Sequence, residues 1–216
     1  MDTRSKVSQP APAMEQTRRE RRIERQRVKI MDAAAELFAQ KGYPATTTRD
    51  IAEAVDVGES TLYGYFSSKK EVLQAILSHQ AEMVDSLLIH LAELEDLQSF
   101  VNLVDLLMKT ILTRTAYNRV LIAEAWTDDE ILQAYVITHW QPVMQTLENF
   151  ISMKIAKGVF RPIEPDLGAR MIVACFIAGI LPVLRGVEPP PSPEQRFHLA
   201  KTIVEIISNG LYLQKG

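Results

Sequence analysis

Residues that could catalyse a reaction or hold a metal ion are few and scattered along this chain. The sequence has a single cysteine, Cys175, and contains neither a His-x-x-x-His spacing nor a nucleophile elbow. His139 with Glu124 or Asp128 is the one acid-base pair that can be imagined. The other histidines are isolated: His79, His90 and His198. The pattern predicts no enzyme, no metal site and no cofactor, and a lone cysteine favours a reducing compartment, the cytoplasm.

Basic residues, in contrast, are concentrated towards the N-terminus. The chain has 24 Lys and Arg against 27 Asp and Glu, yet residues 1–70 carry a net charge of +3 and the remainder −6. This asymmetry favours a nucleic-acid-facing end. The densest basic segment contains Arg18, Arg19, Arg21, Arg22, Arg25, Arg27 and Lys29. Interleaved glutamates leave two readings open for residues 18–29, a solvated helix face or an arm that contacts DNA.

The elements that follow this segment have helix-turn-helix spacing. An amphipathic helix ends at Lys41 and Gly42, after which Thr47 caps a short helix that residues 56–58 end. A second short helix runs from Glu59 to about Tyr65, and Ser68 begins a long helix to about Glu95. In this geometry the second short helix enters the major groove of DNA.

The stretch from Ile30 to Leu73 resembles the DNA-binding domain of the TetR (tetracycline repressor) family along its whole length. The matching residues are Ala34, Leu37, Phe38, Gly42, Tyr43, Thr46, Thr47, Ile51, Ala52, Val57, Thr61, Leu62, Tyr63, Tyr65, Phe66, Ser68, Lys69 and Leu73. Residues 158–161, followed by Asp166, also resemble the family's entry into its eighth helix. The resemblance implies a fold of about nine helices, of which the last two form a dimer, and a ligand-responsive transcription repressor.

The same resemblance assigns roles to the matched positions. Phosphate contacts fall to Thr47, Thr48, Tyr63 and Lys69. Base contacts fall to the outward residues of the second short helix, with Arg49 within reach: Glu59, Ser60, Thr61 and Gly64. Gly58 and Tyr65 complete the predicted DNA-binding set. Three departures from the family pattern, Asp56 for the turn glycine, Gly58 for the capping serine and Gly64 for a larger residue, affect the operator sequence rather than DNA binding.

The rest of the chain has helical periodicity without strand alternation, so the expected class is all-α. We expect a disordered lead-in at residues 1–17, a helix-turn-helix domain at 18–70, and a helical ligand-sensing and dimerisation domain at 71–216. Helices are predicted from Thr127 to about Ala156 with a kink near Pro142, from Asp166 to about Arg185, and from Ser192 to about Leu213.

Large adaptable side chains in the sensor region either form plain core or line a ligand cavity. They are Met108, Tyr117, Trp126, Tyr135, His139, Trp140 and Met144. The span between Leu103 and Ile155 offers apolar lining and no basic cluster, which favours a small, mainly apolar or aromatic ligand. We expect the long helix from Ser68 to transmit ligand binding to the DNA-reading end.

Residues 171–184 are apolar but contain Gly179 and Pro182, which indicates a buried or interface helix rather than a membrane span. With the apolar stripe of the last helix, this segment predicts a homodimer interface. The interface residues are Ala174, Ala178, Gly179, Leu199, Ile203, Ile206 and Ile207. The expected partners are a palindromic DNA operator, a small-molecule effector and a second copy of the chain, with no membrane. A helical adaptor that does not bind DNA is the alternative.

Overall fold

The computed structural model describes residues 12–116, 118–119, 124 and 129–211, with side chains from Arg18 onward apart from that of residue 130. Within these ranges the chain is helical and contains no β-strand. The predicted all-α class is therefore confirmed. Tyr117, Trp126 and the predicted cap at Thr127 lie outside the described residues, as does Leu213, near which the last helix was predicted to end.

The N-terminal half contains α1 (Pro12–Lys41), α2 (Thr48–Ala54), α3 (Glu59–Tyr63), α4 (Lys69–Leu88), a 3-10 turn (Leu91–Glu93) and α5 (Leu97–Thr113). The C-terminal half contains α6 (Asp129–Tyr135), a π turn (Val136–Trp140), α7 (Gln141–Ala156), α8 (Pro165–Leu184) and α9 (Pro193–Leu211). Gly42 and Gly158 have positive φ angles of 83° and 68°, which end the preceding helices as predicted.

Two predicted boundaries on α1 and α4 are wrong. Helix α1 begins at Pro12, so residues 12–17 are helical rather than part of a lead-in without structure. Helix α4 ends at Leu88 rather than near Glu95. The chain turns at Ile89, which is 72% exposed, so that Leu91 in the 3-10 turn is buried. Tertiary packing, and not a local helix breaker, ends this helix. A prediction from the periodicity of apolar residues alone therefore placed its end too late in the sequence.

A π turn precedes α7 close to Pro142, the position of the predicted kink. Proline has no N–H to donate to the carbonyl of Thr138, four residues earlier, and the helix bonds in that stretch shift to a five-residue spacing. The hydroxyl of Thr138 donates to the carbonyl of Ala134 at 2.6 Å. The irregular segment Val136–Trp140 thereby separates α6 from α7.

The core of the DNA-binding end extends into the sensor region. Apolar residues of α1 to α4 pack together, with Ile30, Ile51, Leu62 and Phe66 almost fully buried. Ile131 of α6 belongs to the same cluster. Helix α6 is therefore part of the packing that holds the helix-turn-helix in place.

Candidate nucleic-acid interface and sensor cavity

Helix α2 is held at its start by the predicted capping box. The Thr47 hydroxyl accepts from the Asp50 N–H at 3.1 Å, while the Asp50 carboxylate accepts from the N–H and the hydroxyl of Thr47 at 2.8 and 2.7 Å. These hydrogen bonds, assisted by Lys41, hold the pKa of Asp50 well below its usual range. The hydroxyl hydrogen of Thr47 is thus engaged within the cap, although the side chain is exposed.

The turn between α2 and α3 contains a left-handed residue at the position where the related family has a glycine. Asp56 has a φ of 54°, a conformation that Asp tolerates better than most residues. Gly58 then caps α3 without any side-chain hydrogen bond. The departures from the family pattern at these two positions therefore leave the turn intact.

Helix α3 presents one polar face. Its apolar residue Leu62 is 1% exposed. The predicted base-reading residues are all exposed: Glu59, Ser60, Thr61 and Gly64. Tyr63 is 49% exposed, whereas Tyr65 is half-buried and packs against the core. Of the predicted DNA-binding set, Tyr65 is thus the residue with the least accessible side chain on this element.

A hydrogen-bonded network on the surface connects α2 to α3. The Thr48 hydroxyl donates to a Glu59 carboxylate oxygen at 2.7 Å, and the Tyr63 and Thr48 hydroxyls are 3.3 Å apart. Because the single Thr48 hydrogen is committed to Glu59, Tyr63 donates to Thr48. The network fixes three predicted DNA-contacting side chains relative to one another in the absence of DNA.

Arg49 lies beside this network and forms an exposed ion pair with Glu53 on its own helix, at 2.9 Å. Exposed i,i+4 pairs contribute little to stability, so Arg49 can exchange Glu53 for a phosphate or a base.

Lys69, a predicted phosphate contact, is bound to backbone carbonyls of the loop between α1 and α2. Its ammonium donates to the carbonyls of Tyr43 and Thr46 at 2.6 and 2.8 Å and lies 4.3 Å from the centre of the Tyr43 ring. Burial lowers its pKa, an effect that Glu124 opposes. Lys69 therefore ties the start of α4 to the loop between α1 and α2.

Arg27, one of the residues of the basic segment, makes contacts that its sequence position did not indicate. Its guanidinium donates to the carbonyl of Tyr65 at 2.6 Å and lies 4.1 Å from the centre of the Phe66 ring. Arg27 thus joins α1 to the end of the recognition element. The arginines before it are exposed: Arg18, Arg19, Arg21, Arg22 and Arg25.

A cavity of about 200 Å³ lies in the sensor region between α4, α5, α7, α8 and α9. Of the predicted lining residues, Tyr135, His139 and Trp140 contribute to its wall. Met108 and Met144 are instead buried in the surrounding core. The wall also extends beyond residues 103–155, because Val84 of α4 and Phe176 of α8 contribute to it.

His139 stacks on Tyr135 with ring centres 5.2 Å apart, and burial lowers its pKa against the weaker effect of Asp85. Of the two carboxylates considered as its acid-base partners, Asp128 lies outside the described residues, and Glu124 opposes the effect of burial, which lowers the pKa of Lys69. The part of the chain that the structure describes also has no cluster of three metal-ligating side chains.

The predicted interface residues divide between the surface and the core of the single chain. Ala174, Ala178 and Ile206 are exposed. Gly179, Leu199 and Ile207 are half-buried. Ile203 is only 6% exposed and packs within the chain, where its side chain approaches Gly179.

The geometry defines an all-α protein with a helix-turn-helix at one end and an internal apolar cavity at the other. Residues 30–76 match the model for bacterial regulatory proteins of the tetR family. A 51-residue segment is 45% identical to the HTH-type transcriptional repressor KstR2 of Rhodococcus jostii, over 24% of this chain and 25% of that protein. A 46-residue segment is 46% identical to IcaR, the negative transcriptional regulator of the biofilm operon icaADBC in Staphylococcus aureus, over 21% and 25% of the two chains.

The matched segment spans about a quarter of the length of these relatives. The fold extends the similarity. The TetR family regulator PfmR of Thermus thermophilus has a TM-score of 0.69 at 20% identity, covering 86% of this chain and 99% of that one. Residues 30–76 are therefore similar to bacterial regulatory proteins of the tetR family, and the described chain shares the fold of the solved TetR family structure.

Proposed function

We propose that the protein is a cytoplasmic transcription repressor that binds an inverted-repeat operator as a homodimer and is released by a small, mainly apolar ligand. The observation that supports this most is the exposed polar face of α3 within a domain that matches the tetR family model. The relatives KstR2 and IcaR are named as a repressor and a negative regulator, which favours repression over activation.

In this proposal α3 reads the bases while α2 and the flanking loop position the duplex. The predicted base-reading residues of α3, together with Gly64 at its end, are exposed, whereas Leu62 is buried in the core. A helix that enters the major groove requires such an exposed face. Arg49 adds a cation beside them at little cost, since its pair with Glu53 is exposed.

DNA binding is tested by fluorescence anisotropy with labelled duplexes from the upstream genomic region and of random sequence. Arg49→Gln is expected to weaken all duplexes and to reduce the salt slope by about 1, whereas Thr61→Ala is expected to change sequence preference. Lys109→Gln, which removes an exposed cation from α5, is the control and should change neither. Absence of any salt-dependent binding would favour the helical adaptor.

Helix α8 supplies the surface for the proposed dimer. It is the one helix in the described ranges that is long and apolar enough to cross a membrane, and only 28% of its most apolar window is buried. Leu167 and Met171 are 53% and 63% exposed, and Ala174, Ala178 and Leu181 continue the stripe at three- and four-residue spacing. A second copy of the chain would cover this stripe together with Ile206 of α9.

Charge placed on the stripe tests the dimer. Met171→Glu with Ile206→Glu is expected to give a monomer in light scattering at micromolar concentration, because both side chains are exposed in the single chain. Ile89→Glu is the matched control, since Ile89 is 72% exposed but lies outside the stripe. Ile203 is unsuitable for this purpose because a charge there would disrupt the core of the chain. A doubly substituted dimer would refute the proposed interface.

Ligand release follows from the position of α6 between the two sites. Tyr135, at the end of α6, lines the cavity and packs against the core of the DNA-binding end. A ligand that moves Tyr135 favours one position of the helix-turn-helix over another, and ligand and DNA then oppose each other reciprocally. The test is whether a compound that binds the cavity lowers the affinity for operator DNA.

A further inference from the structure

The lining of the cavity extends along α7, from the π turn that precedes this helix to Phe150 and on to Phe160. The rings of Phe100 on α5 and Phe150 on α7 have centres 5.6 Å apart, and Phe160 lies 5.8 Å beyond Phe150. At the other end, Val84 of α4 and His139 of the π turn both line the cavity. From His139 to Phe150 of α7 the wall spans eleven residues, about 16 Å at the rise of a helix.

The polar groups of the wall are concentrated at the His139 end. Tyr135, His139 and Trp140 meet there, next to the DNA-binding end of the chain. Elsewhere the described lining is hydrocarbon and aromatic, except for Ser208 of α9. A ligand in this cavity therefore meets hydrogen-bonding partners mainly at one tip.

Charged side chains are absent from the lining that the structure describes. Lys154 is a buried cation beside the wall residue Phe150, and its ammonium donates to the carbonyl of Leu94 at 2.8 Å and lies 5.4 Å from the centre of the Phe150 ring. Lys154 is thus committed behind the wall instead of facing the cavity. A carboxylate or ammonium enclosed here would be buried without a partner, which is strongly unfavourable.

His139 suits an uncharged partner. Burial lowers its pKa, so the imidazole is neutral near pH 7 and offers one donor and one acceptor nitrogen. A hydroxyl group can use either nitrogen, and a carbonyl oxygen can accept from the N–H.

We propose that the cavity takes an uncharged, elongated amphiphile whose hydroxyl or carbonyl group bonds to His139 and whose hydrocarbon chain extends towards Phe150 and Phe160. This assignment rests on the proposed function of the cavity as the effector site. It names the chemical class of the effector and identifies His139 as the residue that selects its polar end.

Calorimetry with decanol, decanoate and naphthol as probes tests the assignment on DNA-free protein at pH 8. Decanol is expected to bind at least tenfold more tightly than decanoate, which differs mainly in its charge, and more tightly than the compact naphthol. His139→Phe is expected to lower the affinity for decanol about tenfold, which corresponds to the loss of about one net hydrogen bond. His139→Gln retains a donor and an acceptor, so its affinity for decanol should stay within about threefold of the wild-type value. The control His198→Phe alters an exposed histidine of α9 and should have no effect.

Equal or tighter binding of decanoate, preference for naphthol, or indifference of decanol to His139→Phe in a protein with unchanged circular dichroism would each overturn the assignment. The operator assay separates this result from the proposed function. Decanol that binds without weakening operator affinity refutes ligand release but supports the ligand class. A protein that binds its operator but not decanol refutes the ligand class alone.

Discussion

Gln80 carries a buried amide on α4. Its side chain is 2% exposed, and neither its nitrogen nor its oxygen has a partner among the described residues. It lies on α4 one turn after Ile76, which belongs to the core of the DNA-binding end, and one turn before Val84 of the cavity wall. The amide therefore lies where the two functional regions meet.

Replacement of this amide by an apolar group of similar shape should stabilise the protein. A buried polar group without a partner costs about 1–3 kcal/mol, and methionine resembles glutamine in volume and in helix propensity. Gln80→Met is therefore expected to raise the free energy of unfolding by about 1–3 kcal/mol. A gain of this size requires that the cost of the unpaired amide exceeds any small change in packing.

Urea denaturation followed by circular dichroism measures the effect, at one protein concentration because a dimer unfolds in a concentration-dependent way. The matched control is Gln145→Met on α7, where the amide is exposed and donates to Asn149 at 3.1 Å. The control should change stability by less than about 0.5 kcal/mol. A loss of stability in Gln80→Met would show that the amide has a hydrogen-bonding partner, for example a buried water molecule, and would contradict the predicted gain.

Three further substitutions test local features. Asp56→Gly should raise the free energy of unfolding by about 1 kcal/mol in urea, because glycine adopts the positive φ without strain; a decrease would contradict this. Hydrogen bonds from Thr47 hold the pKa of Asp50 well below its usual range. The ionised carboxylate therefore stabilises the folded protein above about pH 4, and this stability is lost as the pH falls. The free energy of unfolding of Asp50→Asn should decrease less between about pH 7 and 3 than that of the wild type. Burial lowers the pKa of His139, so stability declines as the pH falls below about 6.5; thermal midpoints should show a weaker decline in His139→Phe, but not in His198→Phe.

Features set by neighbouring residues could be predicted from the sequence. The cap at Thr47 and Asp50, the glycine stops at residues 42 and 158, and the left-handed turn at Asp56 depend on backbone chemistry within a few residues. The outward set on α3 also followed from local periodicity, because Leu62 fixes which face is buried.

Features set by distant contacts could not be predicted in this way. The carbonyls that bind the Lys69 ammonium lie more than twenty residues away in the sequence. Arg27 bonds to Tyr65, which is 38 residues away in the sequence. The sequence showed a cation in each place but not its partner. The lining of the cavity was predicted from one span of sequence only. Its wall in fact combines residues of several helices that only the tertiary fold brings together.

The connection between the two sites illustrates this limit most directly. Periodicity favoured α4 as the transmitting helix, and Val84 and Leu88 do line the cavity. Yet α6 also joins the two regions, because Ile131 is buried in the core of the DNA-binding end while Tyr135 reaches the cavity. The π turn follows directly after Tyr135 and carries His139. A ligand that bonds to His139 would therefore act on a helix that is already packed against the helix-turn-helix, and the proposed coupling does not require α4 to move as a rigid lever.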